Sequence, residues 1–139
     1  MQPSGVLETC LYASDLDAAE RFYGTVLGLD AFAREPDRHV FFRCGAGVLL
    51  VFNPARTRTA AGQVAGVAIP PHGASGPGHV AFRIAERELA AWRTRLEDAS
   101  IAIEAEVAWP RGGHSLYVRD PAGNSVELAP ASIWGLAPP

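Results

Sequence analysis

The sequence contains no lysine, since all 12 basic residues among its 139 are arginine. That absence removes Schiff-base catalysis, pyridoxal-phosphate attachment and the lysine of a phosphate-binding loop. A basic excess is missing too: 15 acidic residues leave a formal net charge of -3 and a pI near 5.8. Nucleic acid binding draws on basic groups that displace counterions, so nucleic acid is not an expected partner. Cysteine is scarce. Cys10 and Cys44 are too few and too far apart for a metal knuckle or a disulfide framework, and both are expected as reduced thiols in the core. No stretch approaches the roughly 18 apolar residues of a membrane span, and Met1 to Gly5 lack a basic segment leading into an apolar run. A cytoplasmic protein with no membrane partner is expected. What is present suits a core, with 48% hydrophobic against 19% charged residues in 14.7 kDa, the size of one domain.

From Val6 to Ala13 apolar and polar residues alternate, as in a half-buried strand. Ser14-Asp15-Leu16-Asp17 then offers a capping box, a hydroxyl followed three residues on by an acid, and predicts a helix from about Asp15. Leu16, Ala19, Phe22, Tyr23, Val26 and Leu27 recur at helical spacing up to Gly28, which can adopt a left-handed terminus. Strands are expected near 30–34, 39–44 and 47–52, with Gly45-Ala46 turning between the last two. Residues 54–77 hold four glycines and four prolines and read as a linker. The order then begins again: a strand at 79–84, a helix at 86–99, and strands at 101–107, 114–119 and 125–129. One domain over residues 1–139 is expected, with modules at about 5–53 and 78–130. Phe42-Arg43-Cys44-Gly45-Ala46-Gly47 also aligns with Val118-Arg119-Asp120-Pro121-Ala122-Gly123, 76 positions later. This predicts two similar halves related by a pseudo-twofold axis.

A sheet with helices on one side turns its apolar residues toward them and the alternate residues away. That sorting puts Glu8, Cys10 and Tyr12 on the non-helical face of the first strand, with His79, Ala81 and Arg83 on that of the fifth. Ser115, Tyr117, Arg119, Ser125 and Glu127 take the same side of the last two. Two carboxylates and an imidazole on one face suit a divalent cation, and the alternative is a face open to water. His114 falls on the other face and reads as structural or exposed. His72 reads as a solvated linker residue, and His39 as the start of a strand.

Glu8 at the head of LETCLYASDLDAAERFYGTVLGL, His79 in GPGHVAF and Glu127 in LYVRDPAGNSVELA resemble the three motifs of the vicinal oxygen chelate superfamily. That group takes in glyoxalase I, fosfomycin-resistance transferases, extradiol dioxygenases and bleomycin-resistance proteins. The resemblance implies an α+β fold in which two βαβββ modules form a cup-shaped mixed sheet with helices on its outer face, usually in a homodimer. It implies one divalent ion held by Glu8, His79 and Glu127: manganese, zinc, nickel or iron. It implies a small substrate chelated through adjacent oxygens, with an oxyanion or enolate stabilised in a lyase, isomerase, transferase or dioxygenase reaction. Glu8, Glu127 and Tyr117 would be catalytic. Ser115, Tyr117, Arg119, Cys10 and Tyr12 would meet the substrate, and the alternative for Arg119 is an ion pair within its turn beside Asp120. The offset of 76 puts the fourth-ligand place of glyoxalase I on Val51, or on Leu49 in a shifted register, and neither binds metal. The second reading is a metal-free protein that sequesters a drug or metabolite against Trp109, Tyr12 and Phe52.

Overall fold

The computed structural model describes residues 1–59 and 62–137 and divides the chain into two compact units, Met1–Gly78 and His79–Pro139. Positions 60–61 of the expected linker and 138–139 of the expected domain lie outside the described residues. Each unit contains a strand, a helical segment and three further strands in that order, so the α+β class and the repeated βαβββ module are present. Among the described residues no helix is long and apolar enough to cross a membrane.

In the first unit, β1 (Glu8–Tyr12) leads into α1 (Leu16–Glu20), which continues as a wider helical turn over Arg21–Val26. The cap is Asp15 rather than Ser14: its carboxylate accepts from Ala18 N at 2.9 Å. The widening shows in Leu27 N bonding Phe22 O, five residues back, a spacing that the apolar period alone does not distinguish from an ordinary helix. Gly28 ends the segment with φ 77°. β2 (Asp30–Glu35), β3 (His39–Cys44) and β4 (Gly47–Phe52) follow, giving the sheet order β1-β4-β3-β2 with β1 parallel to β4. Arg34 of β2 ties the sheet to α1 through Asp17 and Glu20. Leu11, Val40, Phe42, Leu49 and Val51 are buried with Leu16, Ala19, Phe22 and Tyr23, each large side chain contributing roughly 1.5–3 kcal/mol.

The stretch expected as a plain linker carries short elements: α2 (Pro54–Thr57), capped by Asn53, and a small hairpin of β5 (Gln63–Val64) and β6 (Val67–Ala68). The second unit repeats the first. β7 (His79–Arg83) leads through a tight turn at Glu86–Glu88 into α3 (Leu89–Asp98), then β8 (Ala105–Ala108), β9 (His114–Arg119) and β10 (Ser125–Ala129). The order β7-β10-β9-β8 matches that of the first sheet, and β7 is parallel to β10. Leu96, Leu116, Val118, Val126 and Leu128 form its core. β8 starts four residues later than the alternation from Ile101 suggested.

The repeat has a register that the sequence match conceals. Phe42 and Val118 hold equivalent core places, but Arg43 pairs with Val48 across one hairpin and Arg119 with Ser125 across the other. The second turn is longer by one residue, so the offset of 76 in β3 and β9 becomes 77 in β4 and β10. One residue changes the face of a strand. The counterpart of Glu127 is therefore Leu50, not Val51, which pairs with Leu11 and Val40 on the helical side. Leu50 has no ligating atom either.

Asp15→Ala should lower unfolding free energy by about 1 kcal/mol, the usual cost of a lost N-cap. Ser14→Ala should change it by less than about 0.5 kcal/mol. Urea denaturation of the two variants separates the assignments, and the reverse ranking would restore Ser14 as the cap.

Candidate functional site

The pairing of β7 with β10 brings His79 beside Ser125 and places Glu127 one step further along the same face. His79 Nδ1 lies 3.1 Å from the Ser125 carbonyl oxygen. A carbonyl only accepts, so this bond needs the hydrogen on Nδ1, and the neutral ring then carries its lone pair on Nε2. Nε2 lies 3.5 Å from Glu127 Oε2. Glu127 is only 4% exposed, and its other oxygen, Oε1, is buried with no hydrogen-bond partner. Burying an ionised carboxylate is costly unless something positive meets it.

Tyr117 stands opposite Glu127 on β9, and its ring stacks on His79 with centroids 6.2 Å apart. Burial pushes the Tyr117 hydroxyl above its ordinary range, and a hydrogen bond to Glu127 and that group's charge add to the rise. Ser115 is fully buried, and its hydroxyl accepts the Trp109 indole N–H at 2.9 Å. Arg119 is exposed and bonds Glu104 at 2.6 and 3.0 Å and the Gly123 carbonyl. Its ion-pair partner is thus Glu104 and not Asp120, whose carboxylate is turned into its own loop to accept from Ala122 N and Asn124 N.

In the first unit the equivalent face carries Glu8, Cys10 and Tyr12 beside Val48, Leu50 and Phe52. Glu8 matches His79, Cys10 matches Ala81 and Leu50 matches Glu127, so this module offers one candidate ligand where the other offers two. Cys10 is exposed rather than in the core, and both cysteines are free thiols. Burial pushes the Cys10 thiol up, and the Glu8 charge adds to it. The Tyr12 hydroxyl is raised by burial and then by Cys10.

Two histidines with no expected role pack on this face. His72 was expected in solvent, but its Nδ1 lies 2.9 Å from the Tyr12 hydroxyl and its ring packs edge-on to Phe52 at 4.7 Å. The backbone bond from His72 N to Thr57 O holds the connecting segment there. His39 begins β3 as expected and also stacks on Phe41 at 4.0 Å, leaving its Nδ1 buried without a hydrogen bond. The contacts of His72 span sequence separations that leave no local pattern to read.

Among the described residues, no group of three or more histidine, cysteine, aspartate and glutamate side chains is gathered as a metal-ligand set. His79 and Glu127 nevertheless fit a divalent cation by their chemistry: a fixed imidazole lone pair beside a buried carboxylate with an unpartnered oxygen.

The family model for the Glyoxalase/Bleomycin resistance protein/Dioxygenase superfamily matches residues 5–128. Lactoylglutathione lyase from Agrobacterium tumefaciens has a crystal structure with 44% sequence identity and a TM-score of 0.89, covering 98% of this chain and 100% of that one. A glyoxalase/bleomycin resistance protein/dioxygenase from Nocardioides is 22% identical with a TM-score of 0.69, over 94% of this chain and 85% of its own. The genomically encoded fosfomycin resistance protein of Listeria monocytogenes is 17% identical with a TM-score of 0.68, over 94% and 93%. The last two support the fold alone. No curated protein gives a significant match.

Burial lowers the proton affinity of His39; Glu35 opposes this and Arg38 adds to it. The unfolded chain then binds more protons than the folded one, so His39 favours folding above the ordinary value of 6.5 and withdraws that support as pH falls below it. Denaturation at pH 7.5 and 5.5 should show a smaller loss of stability in His39→Phe than in the parent. An equal loss in both would contradict it.

Proposed function

Because the chain belongs to the Glyoxalase/Bleomycin resistance protein/Dioxygenase superfamily, we propose that it is a divalent-metal enzyme acting on a small substrate with two adjacent oxygens. The single observation that carries this reading is the buried Glu127 carboxylate, with one oxygen unpartnered and the other facing a His79 nitrogen whose hydrogen is committed elsewhere. His79 and Glu127 would hold the ion, with Glu8 of the same chain or of a second copy in a homodimer completing the set. When bound, the ion supplies Lewis acidity, which stabilises negative charge developing on a substrate oxygen.

The chain's own residues do the rest. The Ser125 carbonyl orients the His79 ring, and Tyr117 stands across from Glu127 with its ring stacked on that imidazole. Two carboxylates and a neutral imidazole balance a +2 charge, which favours harder ions such as manganese, with zinc, nickel and iron as the other candidates. Leu50 at the fourth place leaves coordination positions for a chelating substrate. One similar protein is a lyase, and lyase chemistry is the reaction class we favour; its 44% identity supports the class and not a particular substrate. Cys10 and Tyr12 would line the substrate's approach, whereas Ser115 and Arg119 would act through Trp109 and Glu104, the side chains they bond.

The second reading, a metal-free sequestering protein, draws on a different observation. Tyr12, Phe41, Phe52 and His72 bring rings together on the face of Glu8, an aromatic surface suited to an apolar ligand.

Glu127→Gln keeps the side-chain shape and removes its charge. It should weaken manganese or zinc binding beyond the roughly 10–100-fold that loss of an outer partner costs, with thermal stability unchanged or higher. Calorimetric metal titration with a parallel melting curve checks this. Undiminished affinity in the variant, or no metal uptake by the parent, would move the weight to sequestration.

A further inference from the structure

Two arginines share the face of His79 and Glu127: Arg83 of β7 and Arg119 of β9. Arg119 is committed, since Glu104 takes its guanidinium through hydrogen bonds of 2.6 and 3.0 Å. Arg83 is exposed, and among the described residues its guanidinium has no ion pair and no hydrogen bond. A solvated arginine on an outer surface needs no explanation, but this one lines a cavity. The cavity has a volume of about 160 Å³ and lies within the second unit, at the end of the β7 and β10 pair. Arg83 stands level with Ala129, after which the chain passes Pro130 into a short helical turn, Ala131–Trp134, ended by Gly135 with φ 68°. That turn brings Trp134 and Leu136 to the cavity wall beside Arg83, where they remain 70% and 54% exposed. Among the described residues Arg83 is the only charged one in the lining, and the others are apolar. Glu86, an acid that meets the turn, accepts from the Ser132 hydroxyl at 3.3 Å and is not part of the lining.

Apolar walls around one uncompensated cation suit a single anionic group on an apolar stem. The guanidinium fork matches a carboxylate through two parallel hydrogen bonds. One positive charge also balances one carboxylate, whereas a phosphate ester carries nearly two negative charges. The strand register adds a distance. Glu127 is level with Ala81, and Arg83 lies two residues further along the same face, so roughly 7 Å separates the two rows. Ala81 is exposed and ends in a methyl group, so no side chain of β7 blocks the way between them.

We propose that Arg83 is a specificity-determining residue that binds a carboxylate at one end of the substrate, with Trp134 and Leu136 against the adjoining stem. The substrate is then a small acid whose carboxylate is joined by a short apolar chain to its pair of adjacent oxygens. A backbone spans about 3.5 Å per three bonds, so a gap of roughly 7 Å corresponds to about six bonds. The adjacent oxygens rest on the proposed function above, whereas the carboxylate site does not.

The test has two arms. In metal-free protein, hexanoate supplies the carboxylate and stem alone, and hexanol the stem without the charge. The chain has three tryptophans, Trp92, Trp109 and Trp134, so nitrogen-15 labelling of the indoles gives three N–H signals, with Trp134→Phe assigning the one at the cavity. Hexanoate should move the Trp134 signal saturably, and hexanol should not. In Arg83→Gln the affinity for hexanoate should fall about tenfold, the loss of a charge-assisted bond, with the melting temperature unchanged. In the second arm, manganese-loaded protein is titrated with hexanohydroxamate and with the same molecule ending in a carboxylate. The terminal carboxylate should tighten binding about tenfold in the parent and not in Arg83→Gln. Equal hexanoate affinity in parent and Arg83→Gln would overturn the site. So would a Trp134 signal that answers to protein concentration and not to hexanoate, which would assign this wall to contact between copies. A terminal carboxylate that brings no gain in the loaded parent would overturn the proposed span. Hexanoate binding that requires Arg83, in a protein that takes up no manganese, would overturn the metal reading and uphold the carboxylate site.

Discussion

The contact on which the candidate site depends is the 3.1 Å approach of His79 Nδ1 to the Ser125 carbonyl. It is a consequence of parallel pairing between β7 and β10, which sets His79 and Ser125 side by side although 46 residues separate them. With Nδ1 committed to a carbonyl, the face that His79 turns to Glu127 is a lone pair. Beside it stands a carboxylate that the fold has buried and left with an unpartnered oxygen. The His79 ring is half-exposed and the Glu127 carboxylate buried, and a lone pair facing a buried carboxylate calls for something positive near them, a proton or a cation.

The two modules share a topology and divide the chemistry unequally. Where the second has His79, Ala81, Tyr117 and Glu127, the first has Glu8, Cys10, Phe41 and Leu50 at the matching places. The pair His79 and Glu127 in one becomes Glu8 and Leu50 in the other, beside aromatic rings over which His72 is drawn by Tyr12 and Phe52. The two modules present equivalent faces, and their side chains make one polar and the other mainly apolar.

Much of the fold was legible because its strands are short, alternating and punctuated. β3, β4, β9 and β10 begin and end where Gly, Pro and charged residues place the turns. The common face of His79 and Glu127 followed from period-2 alternation alone. The register of the repeat did not: Gly47 and Gly123 align in sequence, yet Gly47 sits in β4 while Gly123 lies in the turn that Asp120 organises, with φ 85°. A one-residue difference in a turn leaves local patterns intact and exchanges the faces of everything after it. The indole of Trp109 on Ser115, His72 on Tyr12, and Glu104 rather than Asp120 on Arg119 were hidden for a related reason. Each depends on side-chain reach between segments whose approach is set only when the sheets form.

The most direct test of the central claim is the tautomer of His79 in metal-free protein at neutral pH, read from the nitrogen-15 shifts and proton couplings of its imidazole, with a His79 variant assigning the signals. Fixation by the Ser125 carbonyl requires the hydrogen on Nδ1 and a bare Nε2. A neutral ring with its hydrogen on Nε2 would mean that His79 donates to Glu127 instead, and the lone pair on which the metal reading depends would not be there.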